Sequence, residues 1–396
     1  MKLLRSLIVC LSMVFCLIGS VAFAGPVTNL VWNGGFETGT TVNGPDGWQL
    51  DTWGSITSTM TYPVTGQTGR GVKITVANIA ATTPGDSGAA LTFGDTHNIP
   101  VKAGQRFVYQ DATKCTARMQ LDAQYRLSNG TFAYQVLTAT TVANNTWVPT
   151  VAYLIVPAGA VSMSIYRVAD KVGSCTIDNV SVYQTRGYVT LSFDDGYLQT
   201  AAVTLLNKYG VKGMFYLNSR PILGGWVGYF TPAQVWTIAR QGHGIGSHTV
   251  DHVSLPSLPD ASVIAEVRND KTTLEAMAKV PVTSFAYPYG DYSARVQALV
   301  ASVGLTTARG VNDGLNPAPR DLFGLQATCP EKTTTMPQLL SLVDTAVTAN
   351  GWRIMCFHGI DSLGGQYDTT PATLETFIRY VLPRARIVLV KPTATQ

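Results

Sequence analysis

The chain has 396 residues, of which 46% are hydrophobic and only 13% are charged, and its formal net charge is +4. This composition supplies material for two or three domains with buried cores and excludes a disordered chain. The sequence contains no run of Lys or Arg that would follow a phosphate backbone, which argues against a nucleic-acid-binding role.

Residues 1–24 have the layout of a secretory signal peptide. Lys2 and Arg5 precede an apolar stretch that ends in small residues at Ala24. Cleavage there would yield a protein that is secreted, periplasmic or attached to the cell surface, with no integral membrane segment. The alternatives are an uncleaved membrane anchor, because the apolar stretch approaches spanning length, and a lipoprotein modified at Cys16, which the bulky residues before it disfavour.

Residues 25–184 are predicted to form an all-β sandwich. The region is rich in Thr, Val, Gly and aromatic residues, and it contains short alternating runs such as GVKITVANI, MQLDAQYRLS and VSMSIYRVA. Turn signals lie between these runs, and no stretch has helical periodicity. Many short strands at such spacing are typical of a β-sandwich.

Residues 185–396 are predicted to form a second domain of the α/β class. Strand-like runs such as YVTLSF and WRIMCFH alternate with helical ones such as QTAAVTLLNKYG. Repeated strand–helix units imply a parallel sheet. Roughly 210 residues are short for a complete eight-unit barrel of ~250, so a distorted (β/α) barrel is expected, with its chemistry at the carboxyl ends of the strands.

Adjacent carboxylates, Asp194 and Asp195, end the first strand-like run of this second domain. Like charges side by side repel unless a cation or a proton separates their roles. His248 and His252 are four residues apart, a spacing that on a helix places both imidazoles on one face. Two His and one Asp form the usual ligand set of a catalytic metal site with an open position. Each of these residues also has an ordinary structural interpretation. The histidine pair could lie on the surface, the aspartates could form an Asp-Asp-Gly turn, and His358, on a later strand-like run, could be a core residue.

Four segments carry a family resemblance: LSFDDG, SHTVDH, FAYPYG and CFHGI. In this order and spacing they resemble the motifs of the polysaccharide deacetylase family (NodB-homology, carbohydrate esterase type) over about residues 188–392. The resemblance implies a distorted (β/α) barrel that binds a divalent metal through Asp195, His248 and His252. Zinc suits this ligand set best, and cobalt, nickel and manganese accept similar ligands.

The same resemblance implies roles for further residues. Asp194 is expected to be the general base, His358 the general acid, and the backbone N–H of Tyr289 a donor to the oxyanion. Many relatives have an arginine two residues before the proline of the third motif, where it is thought to orient the base. Here that position is Ala286, as in the subset that acts on poly-N-acetylglucosamine exopolysaccharides, and Asp313 is a candidate for the missing support.

The first domain resembles carbohydrate-binding modules of the β-jelly-roll type, families 4 and 9, through NLVWNGGFETG and CTIDNVSVYQ at its two ends. The resemblance implies a structural calcium ion held by Glu37 and Asp178. Aromatic residues of both domains are candidates for stacking on sugars or, alternatively, for ordinary core or rim positions. These are Trp32, Trp48, Trp53, Trp147, Tyr197, Tyr216 and Trp226.

Four cysteines remain after the predicted cleavage, and they allow three pairings. One bond within each domain is the simplest arrangement in an oxidising compartment, with buried free thiols as the alternative. These bonds would join Cys115 to Cys175 and Cys329 to Cys356. His243, close before the histidine pair, is interpreted as structural.

The leading interpretation is a secreted, metal-dependent hydrolase acting on carbon–nitrogen bonds. Its substrate would be an acetylated polysaccharide that contains N-acetylglucosamine, of the exopolysaccharide, chitin or peptidoglycan type. An O-acetyl esterase acting on xylan and a non-catalytic glycan-binding protein are the alternatives. The sequence does not indicate the oligomeric state.

Overall fold

The computed structural model of the protein describes residues 27–42, 44–80, 87–94, 97–140 and 145–391, with the side chains of 138–140 outside the description. The predicted signal peptide lies outside the described residues. Among the described residues, none of the helices has both the length and the apolar character that a membrane span requires.

The first domain consists of two antiparallel sheets. One has the strand order β10-β9-β12-β6-β3, with β7 pairing on β12, and the other has the order β11-β8-β13-β5-β4; β1 and β2 form a separate pair. The strands are β1 (Gly39–Thr40), β2 (Gly44–Pro45), β3 (Gln49–Trp53), β4 (Ile56–Thr65), β5 (Arg70–Ile79), β6 (Gly88–Thr92), β7 (Ile99–Pro100), β8 (Arg106–Cys115), β9 (Met119–Leu127), β10 (Phe132–Thr140), β11 (Trp147–Ile155), β12 (Ala160–Ala169) and β13 (Gly173–Gln184).

The core of the first domain lies between these two sheets, because alternate side chains of each strand point inward. Ile74 of one sheet and Leu121 of the other belong to the same buried cluster. A disulfide joins Cys115 to Cys175, which face each other across β8 and β13. The predicted pairing of these two cysteines is therefore confirmed.

The second domain alternates parallel strands with helices, as the sequence pattern predicts. The strands are β14 (Tyr188–Asp195), β15 (Met214–Leu217), β16 (Gly244–Ser247), β17 (Ser284–Ala286), β18 (Thr307–Arg309), β19 (Trp352–Phe357) and β20 (Arg386–Ile387). The helices are α1 (Thr200–Lys208), α2 (Ser219–Leu223), α3 (Pro232–Arg240), α4 (Asp260–Ala278), α5 (Ala294–Ser302), α6 (Met336–Thr348) and α7 (Pro371–Val381).

The parallel strands have the order β18-β17-β16-β15-β14-β19, with β20 also pairing on β14. Two parallel bridges, Arg309 to Leu325 and Thr328 to Met355, connect β18 to β19 through residues 325–328. The sheet thereby closes into a barrel in which an irregular segment takes the place of one strand. This irregular closure is the distortion of the barrel, and it leaves the carboxyl ends of the strands at one rim.

The two domains are joined by a short connection, since β13 ends at Gln184 and β14 begins at Tyr188. The connection is held on both sides: Thr185 N–H donates to the Arg106 carbonyl and Arg186 N–H to that of Arg384, each at 2.9 Å. Tyr153 of β11 packs against the barrel core, and its hydroxyl accepts a hydrogen bond from Ile387 N–H at 3.0 Å.

Candidate active site

The paired aspartates lie where β14 reaches the rim of the barrel. Every residue of this strand before Asp195 is buried, as expected of a strand covered on both faces. Asp194 is itself buried, whereas Asp195 is half-buried and has a φ of 74°. The strand therefore ends with one carboxylate directed into the barrel and the other at its mouth.

The two histidines follow β16, on the loop between β16 and a 3-10 turn at Leu255–Ser257. The expectation that they share a helical face is wrong, because residues 248–254 are not helical. Thr249 and His252 instead take left-handed conformations, with φ of 68° and 53°. These turns fold the loop back, so the rings of His248 and His252 approach to 4.8 Å between centroids.

Asp195, His248 and His252 converge on one point. Asp195 Oδ1 lies 3.6 Å from His248 Nε2 and 3.5 Å from His252 Nε2. One ligand atom from each of the three residues lies within 4.8 Å of the others. Asp195 Oδ1 is buried and has no hydrogen-bond partner among the described residues, a costly state for a carboxylate oxygen unless another group completes the site.

His248 is held in the form that ligates a metal. Its Nδ1 lies 2.7 Å from the Ala286 carbonyl oxygen, which can only accept a hydrogen bond and so assigns the ring hydrogen to Nδ1. The Nε2 lone pair then faces Asp195, and burial lowers the pKa of His248 to about 3, so the ring is neutral. Burial also lowers the pKa of His252.

Asp270 of α4 is hydrogen-bonded to the start of the loop that carries His248 and His252. The buried carboxylate accepts hydrogen bonds from Ser219 N–H at 2.8 Å, Ser247 Oγ at 2.6 Å and His248 N–H at 3.1 Å. Burial raises the pKa of Asp270 to about 7 despite these three donors. The contact fixes the backbone of His248 at the end of β16.

Asp194 is paired with a cation inside the barrel. Arg309 Nη2 donates to Asp194 Oδ1, and both side chains are buried. Cys356 Sγ donates to Asp194 Oδ2 at 3.4 Å. Burial alone would raise the pKa of Asp194, but the Arg309 charge, with contributions from His248 and His358, outweighs it and holds the pKa below its ordinary value. The carboxylate is therefore ionised.

The pKa of Asp195 shifts in the opposite direction. Burial raises it to about 6, against an attraction from His358, and the neighbouring Asp194 charge adds to the rise. A metal cation would relieve this penalty by favouring the charged carboxylate. The environments of the two carboxylates thus differ although the residues are adjacent.

His358 and Tyr289 lie at the same rim. His358 follows β19, and its buried Nδ1 has no hydrogen-bond partner among the described residues. Its ring, with Asp194 and Cys356, forms a second group whose potential ligand atoms lie within 4.8 Å of one another. The Tyr289 ring stands 4.6 Å from that of His252, and its side chain is exposed.

Four residues of this rim have strained backbone conformations. Asp195, Thr249, His252 and Tyr289 all have φ between 53° and 74°, a region that residues other than glycine seldom occupy. Each such residue costs roughly 1–3 kcal/mol unless its surroundings enforce the conformation. The contacts around Asp195 and His248 supply that enforcement.

A cleft of about 180 Å³ opens beside Asp195 and His252. Trp226, 54% exposed, lies in its wall with Tyr229, and Tyr197 packs on Tyr229 with ring centroids 5.1 Å apart. Aromatic rings at a cleft of this kind suit sugar faces. The polar wall is formed by Asn218, Arg220 and Asp251.

Tyr216 does not line this cleft, and of the two positions predicted for it the core position is confirmed. The side chain is fully buried, and its hydroxyl lies 2.8 Å from Ser284 Oγ. Asp313 does not support Asp194 either, because its Oδ1 accepts from Arg353 Nη1 at 2.7 Å.

The second predicted disulfide is also wrong. Cys329 and Cys356 are both free thiols. Cys356 is buried inside the barrel, where its Sγ lies 3.4 Å from Asp194 Oδ2, and the neighbouring Cys329 is not bonded to it.

In the first domain, Glu37 and Asp178 both reach the 66–70 loop. Asp178 Oδ2 accepts from Thr68 N–H at 2.9 Å, and Glu37 Oε1 accepts from Arg70 N–H at 3.1 Å. Burial raises the pKa of Asp178, and the Glu37 charge contributes to the rise.

The four tryptophans of this domain divide between core and surface. Trp48 packs in the core against Phe36 and Phe93, as the structural alternative expected. Trp32 and Trp53 are exposed, and Trp147 is half-buried.

Two residues of the site escaped the sequence reasoning. Arg309 ends a short run of β-branched and small residues in LTTARG, and a cation at the carboxyl end of such a strand-like run is the signal that could have identified it. Asp270 falls on the buried stripe of α4 with Val263, Val267 and Leu274, at spacings of three and four residues, and an acidic residue in such an apolar stripe is the signal that could have identified it.

Comparison with known proteins gives a family for the second domain. Residues 182–308 match the family model described as polysaccharide deacetylase. The chain is 32% identical over 107 residues to YxkH of Bacillus subtilis (strain 168), which is named only provisionally as a polysaccharide deacetylase; the match covers 26% of this chain and 38% of that protein. It is 34% identical over 116 residues to chitin deacetylase 1 of Saccharomyces cerevisiae (strain ATCC 204508 / S288c), covering 29% of this chain and 36% of the relative.

These matches span less than half the length of either relative. Among solved structures, the family 4 carbohydrate esterase from Streptomyces lividans in complex with acetate is 16% identical, with a TM-score of 0.37. That alignment covers 53% of this chain and 97% of the esterase.

Proposed function

Because residues 182–308 belong to the polysaccharide deacetylase family, we propose that the protein is a divalent-metal-dependent deacetylase. It hydrolyses N-acetyl groups of a polysaccharide that contains N-acetylglucosamine. One observation carries the proposal: a buried, unpartnered carboxylate oxygen of Asp195 lies between the Nε2 atoms of His248 and His252.

The donor set suits a divalent metal. Two neutral imidazoles and one carboxylate are the ligands of catalytic zinc sites, and the same set accepts cobalt, nickel or manganese. When bound, such a cation supplies Lewis acidity, which polarises the acetyl carbonyl and makes water a stronger acid. Asp195, His248 and His252 would hold it, and the Ala286 carbonyl would keep His248 in the correct tautomer.

The remaining polar groups at the rim would carry the proton transfers. Asp194, ionised and held by Arg309, would accept the proton of the attacking water through Oδ2. His358, on the neighbouring strand end, would protonate the leaving amine. The backbone N–H of Tyr289 would donate to the oxyanion of the tetrahedral intermediate.

The same water attack serves an O-acetyl ester, so an esterase acting on acetylated xylan remains the alternative. The test is acetate release from β-1,6- and β-1,4-linked N-acetylglucosamine oligomers and from acetylated xylan, with protein stripped of metal and then reloaded with zinc. Release from an N-acetyl substrate only after reloading supports the proposal. Release from xylan alone supports the esterase.

Asp195→Ala provides the matched test of the site. It should abolish both bound metal and acetate release, whereas Asp313→Ala, which removes a carboxylate outside the site, should retain both. Acetate release that persists in Asp195→Ala would refute the assignment of the metal centre. The absence of release from every substrate by the reloaded wild-type protein would leave the non-catalytic glycan-binding protein as the better account.

We further propose that the first domain binds glycan. Its glycan face is the outer face of the six-stranded sheet, which carries Tyr134, Gln124, Tyr166, Asp122 and Gln120. Gln124 Nε2 donates to the Tyr134 hydroxyl at 2.8 Å, and the Tyr166 hydroxyl donates to Gln124 Oε1 at 3.3 Å. Tyr134 is 67% exposed. Aromatic rings flanked by amide and carboxylate groups match the alternating apolar and hydroxyl surfaces of a sugar.

The glycan face can be tested without catalysis. Tyr134→Ala in the Asp195→Ala background should reduce retention on the immobilised polysaccharide, while Asp195→Ala alone should leave retention unchanged. Equal retention by both variants would refute the glycan face. Secretion, proposed from the sequence of residues 1–24, is tested by fractionating cells that express the full chain.

A further inference from the structure

The interior of the barrel contains a buried ion pair, between Arg309 and Asp194, that the proposed chemistry uses only to keep Asp194 ionised. Arg309 crosses from the end of β18 to Asp194 on β14, and neither side chain has meaningful solvent exposure. The guanidinium occupies Asp194 Oδ1. The other oxygen, Oδ2, lies 3.4 Å from Cys356 Sγ and 3.9 Å from His248 Nε2. Arg309 therefore takes one oxygen of the carboxylate and leaves the other facing the candidate metal centre.

The barrel interior is shaped for this arginine. The guanidinium lies over the Tyr216 ring, 4.6 Å from its centroid. The ring itself is fixed by the Ser284 contact and by Gly246, where a Cβ would come within 2.3 Å of Tyr216 Cδ1. A glycine on the intervening strand thus makes room for the ring, and the ring supports the guanidinium at the height of Asp194.

The neighbouring strand shows how specific this placement is. Ala286 of β17 is the register partner of Arg309 and is fully buried. Register partners in a parallel sheet point to the same face, so Ala286 and Arg309 lie at one level of the barrel interior. Because the Ala286 side chain is small, the Arg309 side chain has room to occupy that level of the barrel interior.

We propose that Arg309 is the positioning residue for Asp194. Its guanidinium fixes the carboxylate rotamer, directs Oδ2 to the reacting water and keeps Asp194 apart from the ligand set of Asp195, His248 and His252. This inference rests on the proposed function, because it assigns the support of the proposed general base. A buried carboxylate without such a partner would reorient or lose its charge.

The test compares Arg309→Met and Arg309→Lys with the wild type by acetate-release kinetics, metal content and crystal structure. Arg309→Met keeps the side-chain length but removes the guanidinium, and kcat should fall about 100-fold, as expected for a misplaced catalytic group. KM and metal content should stay within about 3-fold, because the ligand set is intact. Arg309→Lys keeps the charge but loses the planar fork, so its kcat should lie between that of the wild type and that of Arg309→Met.

Two further variants separate positioning from general stability. Arg353→Met removes another largely buried arginine of the same barrel, one that pairs with Asp313, and should leave kcat unchanged. Arg309→Met/Ala286→Arg supplies a guanidinium from the register partner, and recovery of kcat there supports positioning over a structural role.

Wild-type kcat in Arg309→Lys would overturn the proposal even if Arg309→Met did not fold. The crystal structures decide it independently of activity. An Asp194 carboxylate that keeps its rotamer in Arg309→Lys and Arg309→Met refutes positioning, and a displaced carboxylate supports it. If the reloaded wild-type protein releases no acetate, the proposed function fails, and the structures alone still decide the role of Arg309.

Discussion

His243 provides a prediction about acid sensitivity that is independent of the candidate active site. His243 lies on the connection from α3 to β16, and its imidazole is buried. Gly213 N–H donates to its Nδ1 at 3.2 Å. That bond places the ring proton on Nε2, which lies 3.2 Å from Asn207 Oδ1. A second proton would have to enter at Nδ1, directly against the Gly213 N–H. Burial, together with the Lys212 charge, lowers the pKa of His243 to about 3.

The sign and size of the effect follow from linkage. The unfolded chain, with a histidine pKa of 6.5, takes up a proton below that pH, whereas the folded chain does not until about pH 3. His243 therefore contributes stability above pH 6.5 that is lost as the pH falls. At pH 5 the loss amounts to about 2 kcal/mol of unfolding free energy relative to pH 8.

The assay is urea unfolding of the metal-free protein at several values between pH 5 and pH 8, for the wild type and His243→Gln. The glutamine cannot titrate, so the difference in unfolding free energy between the two proteins should shrink by about 2 kcal/mol as the pH falls from 8 to 5. The absolute stability of the variant is immaterial, because only this change with pH is compared. A difference that stays constant over the whole range would refute the pKa assignment and the hydrogen-bond scheme behind it.

Three further outcomes are expected. Asp270→Asn deprives a backbone N–H of its acceptor and loosens His248, so zinc affinity should fall roughly 10–100-fold in a competition titration; unchanged affinity would contradict the supporting role. If Glu37 and Asp178 hold calcium, calcium should raise the Tm of the wild type and not that of Asp178→Ala, and an equal response of both would rule out the site. Cys115→Ser opens a cross-link spanning 60 residues and should lower the unfolding free energy by about 4 kcal/mol on chemical denaturation, whereas a change under 1 kcal/mol would argue against the chain-entropy account.

The sequence predicted those features that depend on local pattern. Alternation of period two indicated the strands of residues 25–184, and the switch to strand–helix units marked the change near Thr185. The carboxylates of Asp194 and Asp195 could be placed at a strand end because an apolar run stops there. The order of the motifs, through its resemblance to a family, then predicts that His248 and His252 lie at the same rim as the aspartates. Periodicity alone does not predict this.

The features that the sequence did not yield depend on three-dimensional closure. The spacing of His248 and His252 suggested a helix, but residues with positive φ form a loop that brings the rings together equally well. Arg309 could not be connected with Asp194, because the two meet across the barrel, 115 positions apart in the chain. For Tyr216 the sequence leaves a sugar contact and a core position open, and only the closed barrel, in which the ring lies against the Arg309 guanidinium, decides between them.

The short connection between the domains bears on how the protein would meet a polymer. Three residues separate β13 from β14, and the backbone of each of them is hydrogen-bonded to one domain or the other. A flexible tether would let the domains sample many separations, but this connection holds them at a nearly constant one. If the glycan face binds the polysaccharide as proposed, contact of the bound polymer with the barrel would be an intramolecular event with a high effective concentration. The distance between the glycan face and the candidate metal centre would then set a preferred spacing of deacetylated sugars along the polymer.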